Sequence, residues 1–424
     1  MGRMFAFGLA VALMFTLAAS GVAGATHSNG QGPVPWPLDG PETGGSGPQD
    51  ILQTPFFLPG EVDLSTLGVS PTELLTVGPQ PSVLSSTSDN GMLIVDDNGL
   101  DCPNFQYPTI QSAVDAANPG DTIKVCSGIY IEQVTIPTGK DGLTLFSAPD
   151  LQAIIMAPPV MTGPMAIVRV NGAHDVTIRH FTITGPGGGP CNSIRYGVFV
   201  DNSGSALITD NHITEIHDTP FSGCQNGPGV GVGRTVAPDG PTTGSGTVVH
   251  NLIDKYQKGG VLVDNSGSSA EVAYNEVVGA GSTVVIAQNG IQVSRGAQGD
   301  VHHNKVSQNV YAPTTNDATG ILLFSDPVAR VHHNDVFLNE VGIAIFFVSA
   351  SMAEVSYNNS RNNLNDGIHA YDSTSGNLIA YNKAFENGMK DCVDDTGPPP
   401  ANTWVKDLGR MENQDGLCKQ AGPQ

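Results

Sequence analysis

The chain has 424 residues, of which 52 are Gly and 30 Pro, with 14% charged residues and a formal net charge of −22. That length accommodates two or three ordinary domains or one long repeat array, and the Gly- and Pro-rich, charge-poor composition favours strands and tight turns over long helices. The carboxylate excess excludes nucleic acid and anionic lipid surfaces as partners, since both require Lys and Arg to meet their phosphates. It leaves two uses for the acid: solubility in a salty or extracellular setting, and cation binding by clustered carboxylates.

Residues 1–25 read as an export signal. Arg3 gives a positive start, an apolar run follows from Met4 to Ala18, and Ala23-Gly24-Ala25 is a small-residue cleavage site. The run is short for a membrane span and no stop-transfer segment follows it, so a secreted, extracellular protein without a membrane span is expected. Residues 26–90 form a Pro/Gly/Ser-rich linker, interrupted by the more apolar Pro55-Phe56-Phe57-Leu58-Pro59. A linker of this length is expected to tether the body or to wrap on it. Six Cys lie downstream, an even number suited to an oxidising compartment. Six allow fifteen pairings. Local proximity suggests Cys102–Cys126, Cys191–Cys224 and Cys392–Cys418, and metal binding by these sulfurs is the weaker reading because no C-x-x-C pair occurs.

The body begins near Met92. Ile110, Ala113, Val114 and Ala117 follow the spacing of a short amphipathic helix, Thr109 can cap its start, and Asn118-Pro119-Gly120-Asp121 ends it. Short alternating segments follow at Thr122–Val125, Val134–Ile136 and Leu143–Leu145. One helix ahead of many short strands predicts a lid on the end of a stack. A Gly followed by Ile or Val then recurs at Gly197, Gly260, Gly290, Gly320, Gly342 and Gly367. An Asn follows each, thirteen to fifteen residues after its Ile or Val, at Asn211, Asn275, Asn304, Asn334, Asn358 and Asn382, with Asn251 marking a further turn behind the insertion at 236–246. This period, with about three strands per repeat and no helix, predicts a solenoid of parallel strands about 4.8 Å apart. Asn at one bend of every coil would hydrogen-bond to the Asn above and below. The solenoid is expected over residues 91–390, closed by a disulfide-tied C-terminal cap over 391–424.

VHHN occurs twice, at Val301–Asn304 and Val331–Asn334. The Asn is the ladder residue, and the second His takes a slot filled elsewhere by Tyr274, Tyr357 and Tyr381. Ring stacking from coil to coil is therefore the leading reading of His302, His303, His332 and His333, with metal ligation or catalysis the lesser alternatives.

The segment YPTIQSAVDAANPGDTIKVCSGIYIEQVTI resembles the N-terminal cap of the pectin lyase-like superfamily, and DCVDDTGPPPANTWVKDLGRMENQDGLC resembles the C-terminal cap of secreted bacterial β-helix proteins. The resemblance runs from about Gly91 to Cys418. It implies an all-β, right-handed parallel β-helix. It implies no single activity, because that superfamily includes lyases, hydrolases, esterases, epimerases, adhesins and non-enzymes. The N-T-D, G-H-G and R-I-K segments of polygalacturonases, the R-x-P-x-x-R of pectate lyases and the later catalytic segments of the esterases are absent. Asp394-Asp395 lies in the C-terminal cap, and His369-Ala370-Tyr371-Asp372 only approaches the epimerase motif.

Alternation assigns faces after each repeated Gly. One outward column is Phe199, Leu262, Gln292, Leu322, Ala344 and His369, and the next is Asp201, Asp264, Ser294, Phe324, Phe346 and Tyr371. Three readings of this surface follow. In a carbohydrate groove, Phe199, Phe324, Phe346 and Tyr371 lie against sugar rings. Asp201, Asp264, Asp372 and His369 then bind hydroxyls or act as acid and base in lyase- or hydrolase-like chemistry. Asp201 and Asp264 are also turn residues in Asp-Asn-Ser-Gly, and a turn role weighs more. Alternatively Leu322, Phe324, Ala344, Phe346 and Phe347 form an exposed apolar stripe, covered by Phe56–Leu58 or by the Cys191–Cys224 loop, or used for self-association. Arg195, Arg234, Arg295 and Lys258 are the nearest cations. With so few, an anionic polymer would need Ca²⁺ to bridge it. No cofactor is implied. The expectation is a protein that binds or processes extracellular polysaccharide, with a non-catalytic surface, matrix or adhesion scaffold as the alternative.

Overall fold

The computed structural model describes residues 91–313, 315–349 and 352–420. The export signal, the linker and Phe56–Leu58 lie outside the described residues. Within them are one helix and 34 strands, arranged in three parallel sheets, sheets one and two of 12 strands each and sheet three of 10. Thr122–Val125, Gly128–Ile131 and Val134–Pro137 make the first full coil and give one strand each to sheets one, two and three. Successive coils add strands in register: in sheet one, Val272 lies over Val301, then Val331, Val355 and Ile379. In sheet three, Val261 lies over Ile291, Ile321, Ile343 and Ile368. These stacks form one continuous interior, in which each coil buries the apolar edge of its neighbours. Short strands with inward β-branched residues suit this geometry, because each side chain packs on its own copy one coil away.

The recurring glycines have a steric cause. A Cβ on Gly290 would meet Val306 Cγ1 at 2.4 Å and the Gly320 carbonyl oxygen at 2.5 Å; on Gly320 it would meet Val336 Cγ1 at 2.5 Å and the Gly342 oxygen at 2.7 Å. Backbone here passes too close to the interior for any side chain.

The bend between sheets one and two carries the expected ladder. Each Asn donates from Nδ2 to Oδ1 of the next: Asn211 to Asn251 at 3.1 Å, Asn251 to Asn275, Asn275 to Asn304 and Asn304 to Asn334 at 3.0 Å, Asn334 to Asn358 at 2.9 Å and Asn358 to Asn382 at 3.0 Å. The series ends on Asp407, which accepts from Asn382 Nδ2 at 2.8 Å. A second ladder occupies the bend after sheet two: Asn309, Asn339, Asn363 and Asn387, ending on Asp391. A third, at the bend after sheet three, runs from Asn377 to Asn402 and ends on Asp394. All three run in the same direction and end on a carboxylate. The last position has to accept and has no further coil to donate to.

The residue before each first-ladder Asn is left-handed, with φ of 58° at His250, 57° at Tyr274, 55° at His303, 57° at His333 and 58° at Tyr357 and Tyr381. Their rings stack in one column: His250 on Tyr274 at 5.2 Å, Tyr274 on His303 at 4.9 Å, His303 on His333 at 5.1 Å, His333 on Tyr357 at 5.2 Å and Tyr357 on Tyr381 at 5.0 Å. His302 and His332 form a second, parallel stack at 5.0 Å.

The helix spans Ile110–Ala116. Thr109 Oγ1 accepts from Ser112 N, and Ala117 is the C-cap residue. It seals the first coil by burying Ile110, Ala113 and Val114, while Glu132 accepts from the Ile110 and Gln111 amides at 2.8 and 2.9 Å. The disulfides are Cys102–Cys126, Cys191–Cys224 and Cys392–Cys418. Coiling continues past residue 390, since Thr403–Val405 adds to sheet one and Asp407–Gly409 and Cys418–Gln420 add to sheet two. Among the described residues no helix is long and apolar enough to cross a membrane.

Candidate functional site on the outer face of sheet three

Register bears out the first outward column and the part of the second from Asp264 to Phe346. Phe199 lies opposite Gly231 and then Leu262, Gln292, Leu322, Ala344 and His369. Asp264 lies opposite Ser294, Phe324 and Phe346. Their expected exposure is corrected, because nearly all are buried: Phe199, Leu262, Leu322, Ala344 and Asp264 are 0% exposed, Asp201 2%, Tyr371 6%, Phe324 7% and His369 9%. The cause is packing outside the coil. Leu322, Phe324, Val341, Ala344, Phe346 and Tyr371 form a cluster of their own, separate from the interior, and Tyr196 stacks on Phe199 at 4.0 Å. The stripe is therefore mostly closed, and half-exposed Phe347 is the part of it open to a partner.

The acidic half of the face is closed by ion pairs. Asp201 accepts from Arg169 Nε at 3.0 Å and Nη2 at 2.6 Å; burial nonetheless raises its pKa. Asp264 accepts from Arg295 Nη1 at 3.0 Å, Ser294 Oγ at 2.7 Å and the Thr235 amide at 2.8 Å. Upstream, a chain of donors runs from Thr319 to Asn289, Gln292 and Ser294, and so to Asp264. Arg195 and the Tyr196 hydroxyl both bind Asp239, and Arg234 pairs across an antiparallel bridge with Thr242, so the insertion after Pro228–Val232 folds over this end. Lys258 is fully buried and donates to the Ala287 carbonyl at 2.5 Å, and burial lowers its pKa to about 7. The carboxylate oxygens on which a Ca²⁺ would lean are thus engaged by Arg169 at Asp201 and by Arg295, Ser294 and the Thr235 amide at Asp264.

The other half holds an ionisable cluster. His369 Nδ1 lies 3.0 Å from Asp366 and Nε2 lies 2.8 Å from Asp395. Burial pulls this imidazole toward neutrality, but the two carboxylates outweigh it and push its pKa up to about 9. His369 stacks on Tyr371 at 3.7 Å, and the Tyr371 hydroxyl donates to Asp317 at 2.6 Å. Burial raises both Tyr371 and Asp317. Glu340 accepts from the Ala318 amide at 2.9 Å and the Tyr311 amide at 3.2 Å, yet burial, helped by Asp317, pushes it up to about 7. The cluster therefore offers a carboxyl that burial inclines to keep its proton, an imidazole that two carboxylates incline to hold its proton and a hydrogen-bonded phenol. Its open side is at Asp395, whose side chain is 43% exposed. Asp372 stands exposed at the turn beyond the strand.

Of the expected residues, the structure brings His369 and Tyr371 together. Phe324 and Phe346 lie in the adjoining apolar cluster, while Asp201, Asp264 and Phe199 lie in the ion-paired half. Sequence reasoning missed Asp317, Glu340 and Asp366. Asp366 precedes a repeated Gly, and that column faces outward with Asn289 and Thr319 because the Gly interrupts the alternation. The i,i+3 spacing of Asp366 and His369 was the available signal. Asp317 and Glu340 arrive from separate connections and had none.

A shallow groove of about 710 Å³ lies elsewhere, on the outer face of sheet one, lined by Ser205, Ser245, Thr247, Ser269, Glu271 and Asp300 among others. The open groove and the ionisable cluster are thus on different sheets. The cluster is the stronger candidate for chemistry, because its groups are buried and mutually tuned, whereas the groove is lined by solvated side chains. Cys191, Cys224 and Asp218 lie together, but the two sulfurs form a disulfide.

A family model described as a right-handed β-helix region matches residues 166–347 and 241–398. No curated protein matches the sequence significantly. Among solved structures, the Dettilon tailspike protein is 14% identical with a TM-score of 0.52, covering 75% of this chain and 62% of the tailspike chain. An alginate lyase from Paenibacillus sp. is 14% identical with a TM-score of 0.49, covering 72% of this chain and 96% of its own. Pectin methylesterase from carrot is 12% identical with a TM-score of 0.41, covering 77% and 90%. At these identities the likeness is one of fold.

Proposed function

The chain belongs to the right-handed β-helix family, and from that premise we propose that it binds or processes extracellular polysaccharide through the C-terminal half of sheet three's outer face. The observation that carries this reading is the gathering of Asp317, Glu340, Asp366, His369, Tyr371 and Asp395 on that face, with Glu340 pushed up to about 7 and His369 held between two carboxylates. A carboxyl that keeps its proton near neutral pH is suited to general-acid work beside carboxylates that stay ionised. Four acidic side chains gathered around one imidazole disfavour a uronate, so a neutral glycan suits the cluster better than an anionic one. Acid-assisted cleavage of a glycosidic bond is the reaction these groups support.

The scaffold reading has its own support. The arginine-neutralised Asp201 and Asp264 and the filled apolar stripe show a face consolidated by its own side chains. The two readings separate on panels of neutral and uronate polysaccharides assayed for binding, new reducing ends and unsaturated uronate. Turnover of a neutral glycan that Glu340→Gln and Asp395→Asn abolish, with binding kept, supports the enzyme. Binding without turnover supports the scaffold. No binding and no turnover across both panels refutes the polysaccharide role.

A further inference from the structure

At the corner between sheets one and two, a two-residue arrangement is repeated one coil apart. His302 and His303 bring their Nδ1 atoms to 2.9 Å, and His332 and His333 bring theirs to 3.0 Å. Two imidazole nitrogens facing each other at this distance require a proton or a cation between them, because two lone pairs repel. The opposite nitrogen of each leading His bears on which. His302 Nε2 lies 3.2 Å from Glu271 Oε1, and His332 Nε2 lies 2.9 Å from Asp300 Oδ1. A carboxylate at Nε2 keeps the ring proton there and leaves Nδ1 as a lone pair, as carboxylates do when they orient metal-bound histidines. The second ring of each pair is held by its left-handed backbone and by the rings above and below it.

Stacking alone does not need these imidazoles. Ala273-Tyr274, Ser356-Tyr357 and Ala380-Tyr381 fill the same slot in other coils, and their rings stack equally well. Each His pair adds two nitrogen donors to a position that a Tyr already satisfies. With metal–nitrogen bonds of about 2.0–2.1 Å, Nδ1 atoms 2.9–3.0 Å apart subtend about 90° at a shared ion. That angle is the corner of a tetragonal site, the preference of copper(II) and nickel(II) rather than of tetrahedral zinc.

We infer that each His-His pair chelates one divalent transition-metal ion through its two Nδ1 atoms, with copper(II) preferred and the remaining coordination positions open toward solvent. Glu271 and Asp300 also line the groove on sheet one, so both ions sit at its edge. This site is independent of the cluster on sheet three.

The test uses the full chain, stripped with chelator and titrated with CuCl₂ by calorimetry, with electron paramagnetic resonance as the second readout. Two ions per chain with nitrogen hyperfine structure are expected. The variant His302→Ala/His303→Tyr/His332→Ser/His333→Tyr copies neighbouring coils and retains the ring column, so its unfolding midpoint is expected to be unchanged while both ions are lost. Glu271→Ala and Asp300→Ala are each expected to weaken one site by about 10- to 100-fold. Fewer than two ions on the parent chain, or copper binding that persists in the fourfold variant, overturns the inference.

Discussion

Asn334 sits in the middle of the first ladder and is 1% exposed. Its Oδ1 accepts from the Asn304 backbone N–H and from Asn304 Nδ2, both at 3.0 Å. Its Nδ2 donates to Asn358 Oδ1 at 2.9 Å, to the Val301 carbonyl at 2.9 Å and to the His332 carbonyl at 3.2 Å. Asn334→Ala removes the two hydrogen bonds that Oδ1 accepts and the two N–H groups that Nδ2 shares among its three acceptors, each worth about 1 kcal/mol net, and leaves the Asn304 amide buried without this acceptor. The expected loss is about 3–5 kcal/mol, read as a lower urea midpoint with an unchanged slope. Asn334→Asp sharpens the test. It restores the acceptor for Asn304 but sets a second oxygen against Asn358 Oδ1 and the Val301 carbonyl, so it is expected to be at least as damaging as Ala. At position 407 the same carboxylate is native, because its second oxygen meets the Val405 amide at 3.2 Å instead of another acceptor. If Asn334→Asp proves as stable as the parent, or Asn334→Ala loses less than about 1 kcal/mol, ladder polarity is not what selects Asn and Asp at these bends.

Gly320→Ala places a methyl 2.5 Å from Val336 Cγ1 and 2.7 Å from a backbone oxygen, and is expected to cost about 1–3 kcal/mol or more by chemical denaturation. The pH dependence comes from two groups with the same sign. Glu340 titrates at about 7 folded against the usual 4.5, so the native state binds the extra proton and stability falls as pH rises from 4.5 to 7. Glu340→Gln, which keeps an acceptor for the Ala318 and Tyr311 amides, is expected to flatten that limb and to gain up to about 3 kcal/mol at pH 8, measured by urea unfolding across pH. His369 titrates at about 9 folded against 6.5, so its stabilisation is full below 6.5 and is lost as pH rises through 9. Long-range ¹H–¹⁵N spectra at pH 7.5 are expected to show it as imidazolium, and a neutral ring there would refute the carboxylate clamp.

The sequence by itself determined the coil. A repeat with one Gly, two inward β-branched residues and one Asn specifies which side chains overlie one another, because parallel in-register strands turn sequence period directly into spatial neighbourhood. Asn211 to Asn382, the ring column through His303 and His333, and the outward columns of sheet three were all legible on that ground. The second ladder at Asn309, Asn339, Asn363 and Asn387 is equally periodic, but no Tyr or His precedes these residues to mark the bend. Only the tertiary structure decided exposure. Whether Asp264 or Leu322 meets water depends on what packs outside the coil, and the outer shell comes from non-repeating connections such as 233–243 and 315–318, whose paths no period specifies. The cluster of Asp317, Glu340, Asp366, His369, Tyr371 and Asp395 was decided in the same way. Its members come from several different coils, and burial and mutual charge make them a site only after the chain has closed around them.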